Sequence, residues 1–405
     1  MDNAQQHPVK MANAPALYSF QPDVTAKSES SSNPRPASQN TDKISRMVAT
    51  HKIVITRDIG EKALKILEQE RSDLNVYLQI WSEPRPADRD WLLRHIEGAS
   101  GVLIMLSEKV DEEFLEAAGP SLKVVSTMSV GCEHVNVPAL AKRGIKLGYT
   151  PDVLTEAVAD ISVMLALMAT RNAAVGMKVV ASGEWPTYPW SPFSFCGPQL
   201  STLSPSKPSP KIAGFIGYGR IGRATARRLA AFGLAHVIYA SSTSASLASS
   251  PTPDSLPPFP PNPTPDTAIE VSLATLAAHS DVLFVLAPHT PQTHHIVNNE
   301  LLDLMKPTAV VVNAARGSLV DSDALAAALR EGKIFGAGLD VVEGEPFIEK
   351  DHPLLKESNC VILPHVGSAT FETREAMATL AARNLLSGLL DEPLEAGVDM
   401  SQYLN

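Results

Sequence analysis

Cysteine is scarce in this chain: Cys132, Cys196 and Cys360 are the only three in 405 residues. An odd number without C-x-x-C spacing forms no disulfide framework and no zinc site, so a reducing compartment, the cytoplasm, is the expected setting. Positive charge is also short, with 34 Lys and Arg against 44 Asp and Glu and a net charge of −10. A surface of that sign repels phosphate backbones and anionic bilayers, so neither nucleic acid nor a membrane is an expected partner. Long apolar runs are missing too. The nearest approach to a membrane span, residues 157–170, falls short of the roughly 20 residues a bilayer requires and carries Asp160. What remains is 44% hydrophobic and 19% charged, the balance of a globular chain with a large core. At about 150 residues per domain, the length implies two to three domains.

Proline is in excess where structure is least expected. Of the 32 prolines, 5 fall in residues 1–46, 7 in 186–210 and 8 in 251–265. The first stretch is rich in Ser, Asn and Gln and has no apolar h-region; residues 1–47 therefore read as a disordered extension without a secretory signal. Asp2, Asp23, Glu29 and Asp42 also argue against an organellar transit peptide. The third belongs to an insertion over 243–267 that supplies neither ladder donors nor a helix and is expected to protrude as an extended loop.

From residue 52 the chain alternates β-rich runs with helical patterns: KIVIT, IGEKALKILEQE, NVYLQI, DRDWLLRHIE, GVLIML, DEEFLEAA and KVVST. The rhythm resumes after residue 211 with KIAGFIG, RATARRLAAFG, HVIYA, LATLAAHS, DVLFVLA, ELLDLMK, AVVVNAA, SDALAAALREG and FGAGLDV. Strand–helix alternation implies parallel sheets with crossover helices, hence two α/β lobes. Between them, residues 156–175 are apolar all round and predict a helix buried on every side, bridging the lobes or packing on a second subunit.

The strongest local motif is GYGRIG, Gly217, Tyr218, Gly219, Arg220, Ile221 and Gly222, directly after a β-type run and before an amphipathic helix. Gly217 permits a tight turn, Gly219 lets the backbone approach a pyrophosphate, and Gly222 allows close helix packing, while the helix N-terminus favours phosphate charge. A dinucleotide is the implied ligand. After HVIYA, where NAD sites usually place an acid, stand Ser241 and Ser242. Without a carboxylate the barrier to a 2′-phosphate is gone, which favours NADP over NAD; the alternative is a hydroxyl-rich loop indifferent to either.

Three further segments, NAARG, LDVVEGEP and LPHVGSAT, each follow or end an apolar run and carry Arg316, Glu345 and His365. Strand ends of an open parallel sheet face one crevice, so the three side chains are able to converge beside the dinucleotide. A 2-oxo acid needs a forked cation, which Arg316 offers, and a proton donor, which a protonated His365 offers; Glu345 would orient and charge-balance the imidazole. Taken singly, such residues are more often a surface ion pair or a solvated turn.

With TMSVGCEHVNV, GYTPDVLTEAVAD, GYGRIG, NAARG, GLDVVEGEP and LPHVGSAT in order over about residues 50–395, the sequence resembles the D-isomer-specific 2-hydroxyacid dehydrogenases, and among them the glyoxylate reductase/hydroxypyruvate reductase branch. The resemblance implies a flavodoxin-like substrate-binding domain, 48–155 with 365–405, and a doubly wound parallel-sheet coenzyme-binding domain, 156–364, in a homodimer. It implies Arg316, Glu345 and His365 as catalytic residues, and backbone N–H groups of Val130 and Gly131 on the substrate carboxylate. An SVG turn is able to form such an anion nest. It further implies that Asp340 contacts the nicotinamide carboxamide and that Pro288, Ala314 and Gly367 line the coenzyme groove. The aromatic loop expected to wall the pocket reads WPTYPWSPFSFCG, which makes Trp190, with Trp185 beside it, a candidate for substrate contact. The usual Ala-Glu pair opening the long helix reads Ala159-Asp160.

Other features have plainer readings. His294 and His295 are adjacent and so expected to diverge, a poor arrangement for one metal. Cys132 reads as a small pocket-lining hydrophobe, and Arg227 and Arg228 as solvated. The expected activity is NADPH-preferring or dual-coenzyme reduction of glyoxylate to glycolate and of hydroxypyruvate to D-glycerate. A phosphoglycerate or broad D-2-hydroxyacid dehydrogenase would show further cations at the substrate mouth, none of which is evident in the sequence. A dinucleotide-sensing corepressor without turnover would use the insertion and N-terminal arm for protein docking.

Overall fold

The short β-branched runs form two all-parallel sheets in a computed structural model that describes residues 50–69, 74–201, 210–234, 236–241 and 252–404. The N-terminal extension, Ser242 and the first residues of the insertion lie outside the described residues. The first sheet is built from β1 (Thr50–Ile55), α1 (Glu61–Gln69), β2 (Asn75–Ile80), α2 (Arg89–Ile96), β3 (Gly101–Ile104), α3 (Glu112–Ala118), β4 (Val124–Thr127), α4 (Val137–Lys142) and β5 (Lys146–Gly148). Its strand order is β2-β1-β3-β4-β5, the flavodoxin-like arrangement. β3 and β4 are buried along their whole length, as central strands covered by helices on both faces must be.

Next come α5 (Thr155–Thr170) and α6 (Ala173–Ala181), followed by the second sheet with β6 (Ile212–Ile216), α7 (Arg220–Ala230), β7 (His236–Ala240), β8 (Ile269–Glu270), α8 (Leu273–His279), β9 (Val282–Val285), α9 (Asn299–Asp303), β10 (Val310–Asn313), α10 (Ser322–Arg330), β11 (Gly336–Leu339) and β12 (Cys360–Ile362). Its order is β12-β11-β10-β9-β6-β7-β8, all pairs parallel, with the topological switch between β6 and β9. Ligands of doubly wound sheets bind outside the carboxyl ends of the strands at such a switch. Finally α11 (Phe371–Leu389), capped by Thr370 through its bond from Thr373 N–H at 3.1 Å, returns to the first sheet. There Met377, Ala381 and Leu385 join the core of Ile53, Leu103 and Val124, and Ser126 donates to Ala381 O at 2.9 Å.

Three expectations change. Within a single chain the long helix is not buried on every side: α5 ends at Thr170, Met164 is 41% exposed, and α6 leaves at 73° with no buried residue. The break follows Arg171 at Asn172, whose left-handed φ of 52° ends the helical path. Arg228 is not merely solvated; it pairs from α7 with Glu156 at 2.7 Å and with Asp160, fastening α7 to α5. That contact also explains an acid at position 160. The described part of the insertion is irregular and mostly exposed as expected, but it does not stand clear of the lobe: the half-buried Leu256 and Phe259 pack on the second core, and Pro265–Thr267 form a 3-10 turn leading into β8. Proline forbids ladder donation, but it does not forbid burying the Leu and Phe between prolines. No single helix among the described residues is long and apolar enough to cross a membrane.

Candidate active site

A cleft of about 1570 Å³ runs between the carboxyl ends of the two sheets. On one wall stands the glycine turn after β6. Gly217 has φ +87°, and a Cβ there would come within 2.8 Å of Ala287 N, so only glycine lets the turn lie against the strand end at the switch point. Gly219 is the N-cap of α7, and a Cβ built on it meets nothing within 4 Å. Open space at a helix N-terminus is what a pyrophosphate needs, so the turn fits a dinucleotide. Gly219, Arg220, Ile221, Gly222, Pro288 and Ala314 all line the cleft. Tyr218 does not: its ring is buried and stacked on Tyr239, and its hydroxyl donates to Pro265 O at 2.6 Å.

Arg316, Glu345 and His365 follow β10, β11 and β12, three neighbouring strands, which is why residues far apart in sequence meet. Asn313, fully buried at the end of β10, accepts from Ala315 N–H at 3.0 Å and donates to Arg316 O at 2.8 Å. This Asx-type turn throws Arg316 across the cleft to the first lobe. Its guanidinium lies on the Val130–Gly131 turn after β4: a Cβ on Gly131 would sit 1.8 Å from Arg316 Nη2. The turn is braced from below, with Ser129 Oγ donating to Gly131 O at 2.7 Å and Thr127 Oγ1 2.7 Å from Ser129 Oγ.

His365 Nδ1 is 2.7 Å from Glu345 Oε1, and Glu345 Oε2 accepts from Val342 N–H at 3.0 Å. Both carboxylate oxygens are thereby engaged, one fixing the imidazole and the other fixing the carboxylate. His365 itself has φ +54°, uncommon for a residue with a side chain. Its N–H bonds Asp340 O at 2.8 Å, and the Asp340 carboxylate accepts from Val366 and Gly367 N–H groups, each at 2.8 Å. Such strain, about 1–3 kcal/mol, persists only where neighbours over-determine it. Burial pushes the Asp340 carboxyl up, against the two backbone bonds that hold it down.

The structure thus gathers Val130, Gly131, Arg316, Asp340, Glu345, His365 and Gly367 in one cleft. It leaves Trp190 94% exposed and Trp185 65% exposed, neither lining the cleft of its own chain. Cys132 packs on the first lobe's apolar core instead of lining the pocket, and burial pushes its thiol up to about 11. His294 and His295 do not diverge: a φ of 48° at His295 stacks the rings at 4.0 Å, and with Glu343 they bring three ligand atoms within 4.8 Å of one another. His295 Nε2 is bound to Glu343 at 2.8 Å, which accounts for the pair without an ion.

Several residues were not foreseen. Glu133 holds Arg316 through Nε at 3.2 Å and Nη2 at 3.4 Å. Arg57, Lys62 and Arg374 also line the cleft, with Arg57 paired to Glu108 at 3.3 Å and Lys62 to Glu375 at 2.6 Å. Arg57 follows β1 at the first sheet's own switch, a position that strand order alone would have flagged. Ser241, at the expected ribose position, donates its hydroxyl to Glu270 of β8, an acid in the place where the sequence seemed to lack one.

Comparison with known proteins agrees with this geometry. Residues 163–367 match the family model of the D-isomer specific 2-hydroxyacid dehydrogenase, NAD binding domain. The chain is 40% identical over 354 residues to a human glyoxylate reductase/hydroxypyruvate reductase, covering 86% of this chain and 98% of that one. Among solved structures it resembles a glyoxylate reductase from Paecilomyes thermophila, with TM-score 0.69, 29% identity, and 87% and 99% of the two chains covered. It also resembles an NADPH-dependent glyoxylate/hydroxypyruvate reductase from Sinorhizobium meliloti in complex with NADP and malonate, with TM-score 0.63, 31% identity, and 87% and 97% covered.

Proposed function

The chain belongs to the D-isomer-specific 2-hydroxyacid dehydrogenase family, and from that premise we propose that it is an NAD(P)H-dependent reductase of glyoxylate and hydroxypyruvate, yielding glycolate and D-glycerate. The observation that carries the reading is a His365–Glu345 pair at 2.7 Å in the same cleft as an arginine seated on a backbone turn and a glycine turn opening a helix. The first sheet with α11 serves as the substrate lobe and the second as the coenzyme lobe. Two small 2-oxo acids share what this cleft recognises, a carboxylate beside a carbonyl.

Arg316 and the Val130 and Gly131 N–H groups hold the substrate carboxylate, and the arginine polarises the adjacent carbonyl. The hydride for the carbonyl carbon would come from a reduced nicotinamide held in the coenzyme groove. His365, with Nδ1 engaged by Glu345, gives the proton to the carbonyl oxygen from its other ring nitrogen, so the carbon–oxygen double bond becomes an alcohol. Asp340 and Gly367 would line the groove that receives the nicotinamide, and the N-terminus of α7 would hold the pyrophosphate.

α6, whose residues are all at least partly exposed, and the arm bearing Trp185, Trp190 and Phe193 suit a homodimer interface through which Trp190 reaches the partner's cleft. The three unpaired cysteines fit a cytoplasmic setting. The test is turnover of glyoxylate, hydroxypyruvate and pyruvate with NADH and NADPH, followed by coenzyme absorbance. Oxidation of coenzyme with the first two is expected; no oxidation with any 2-oxo acid would favour a dinucleotide sensor. His365→Ala should lower kcat by about 10³-fold with coenzyme affinity nearly unchanged. Full activity in that variant would remove His365 from the reaction.

A further inference from the structure

Beside the glycine turn the second sheet presents an acid from an unexpected strand. In a doubly wound sheet the discriminating carboxylate normally stands at the end of the second strand, here β7. This chain has Ser241 there, and the Ser241 hydroxyl donates to the carboxylate of Glu270. Glu270 ends β8, the edge strand beside β7, with Tyr239 paired to Glu270 in parallel register. Its side chain therefore reaches across one strand spacing to the position an acid on β7 would occupy. That position adjoins the glycine turn, because Gly217 N–H bonds Ala240 O at 3.1 Å, immediately before Ser241.

The stretch after β7 contributes no positive charge. From residue 229 to residue 305 the sequence contains neither lysine nor arginine, so the loop after β7 has no cation to offer a 2′-phosphate. Arg223, in the first turns of α7, lies over the Tyr218 ring at 5.0 Å, and Arg220 pairs with Asp152. The described part of the insertion steadies the arrangement. Its last residues form the 3-10 turn Pro265–Thr267 that enters β8, and Pro265 O is the acceptor of the Tyr218 hydroxyl.

We infer that Glu270, presented from β8 and aligned by Ser241, reads the adenosine ribose and selects NADH over NADPH. The inference rests on the dinucleotide site proposed above. A carboxylate there accepts bonds from the free 2′- and 3′-hydroxyls and repels a 2′-phosphate, the same two effects an acid on β7 would exert. It reverses the NADPH preference expected from the sequence, whose ground was the missing acid after HVIYA.

Direct titration of the purified chain with NADH and with NADPH, read by coenzyme fluorescence and needing no substrate, tests it. The wild type should bind NADH at least about tenfold more tightly than NADPH. Glu270→Gln, a near-isosteric change at an exposed side chain, should narrow that ratio by about tenfold, mainly by tightening NADPH, and Glu270→Lys should narrow it further or invert it. A wild type that favours NADPH or binds both equally would overturn the inference while leaving the reductase reading intact, as would ratios untouched by both substitutions. Binding of neither coenzyme would instead overturn the dinucleotide site and the proposed function with it.

Discussion

The two ends of the crevice are built by different means. At the reacting end most polar side chains bond backbone, Glu345 by Val342 N–H, Asp340 by Val366 and Gly367 N–H, Asn313 by the turn it shapes and Arg316 through Ala315 O at 2.7 Å, and only then one another, His365 on Glu345 and Arg316 on Glu133. Beside the glycine turn a half-buried side chain, Ser241, bonds an exposed one, Glu270, at the edge of the sheet. Backbone-held groups are fixed by the fold and cost nothing further to align when a reaction begins. A bond between two side chains at a sheet edge changes with modest loss, which suits discrimination between two similar ligands. On the proposed reading, rigidity sits where bonds change and adjustability where the coenzyme is chosen.

The contrast is broken most severely at Gly131. Arg316 Nη2 occupies the space a methyl group would take, 1.8 Å from an ideal Cβ, so Gly131→Ala must displace the guanidinium from the turn. A loss of about 10³-fold in kcat/KM for glyoxylate is expected, with NADH affinity within about twofold of wild type, because only the substrate fork is disturbed. If activity survives, Arg316 does not depend on that seat. Glu345→Gln is the next step down. The amide keeps the shape and one acceptor but loses the negative charge facing His365 at 2.7 Å and presents an N–H where the carboxylate only accepts. A fall of about 10²-fold in kcat with little change in KM is expected. An equal fall in coenzyme affinity would show instead that the loop carrying Glu345 had collapsed.

The reacting end was legible because its chemistry and its topology are both written locally. Arg316, Glu345 and His365 each follow a β-type run, and parallel sheets bring run ends together, so pattern allowed their convergence and the family resemblance singled out these three. The ribose end was not legible for the opposite reason. Glu270 belongs to a strand of two residues preceded by a proline-rich insertion, too short for periodicity to announce, and its meaning depends on pairing with β7. The same limit hid Glu133, whose value lies in a contact to Arg316 across the lobes. It misled the reading of His294 and His295, since neighbour geometry was assumed regular where the backbone turns left-handed. Proline content predicted the lack of strand over 252–264 but not the burial of Leu256 and Phe259, because packing follows side chains and not ladder donors.

The mildest way to probe the contrast is acid. His134 lies under the reacting end, its Nε2 3.0 Å from Thr127 Oγ1, in the chain of bonds that passes through Ser129 to Gly131. Burial first, and then the Arg316 charge, push its pKa down to about 4, outweighing the opposite pull of Glu133 and Glu108. The unfolded chain binds a proton near the ordinary value of about 6.5, so between there and about 4 the unfolded state holds more protons and stability rises with pH. Going from about pH 7 to about pH 5 should therefore cost the folded chain about 2 kcal/mol through this one group. Urea unfolding across that range, compared with His134→Gln, isolates the contribution: the variant should lose less stability on acidification than the wild type by that amount. Parallel pH dependences would mean that His134 is solvated enough to protonate in place. The bracing beneath Gly131 would then be as adjustable as the ribose end, and the distinction between the two ends would fail.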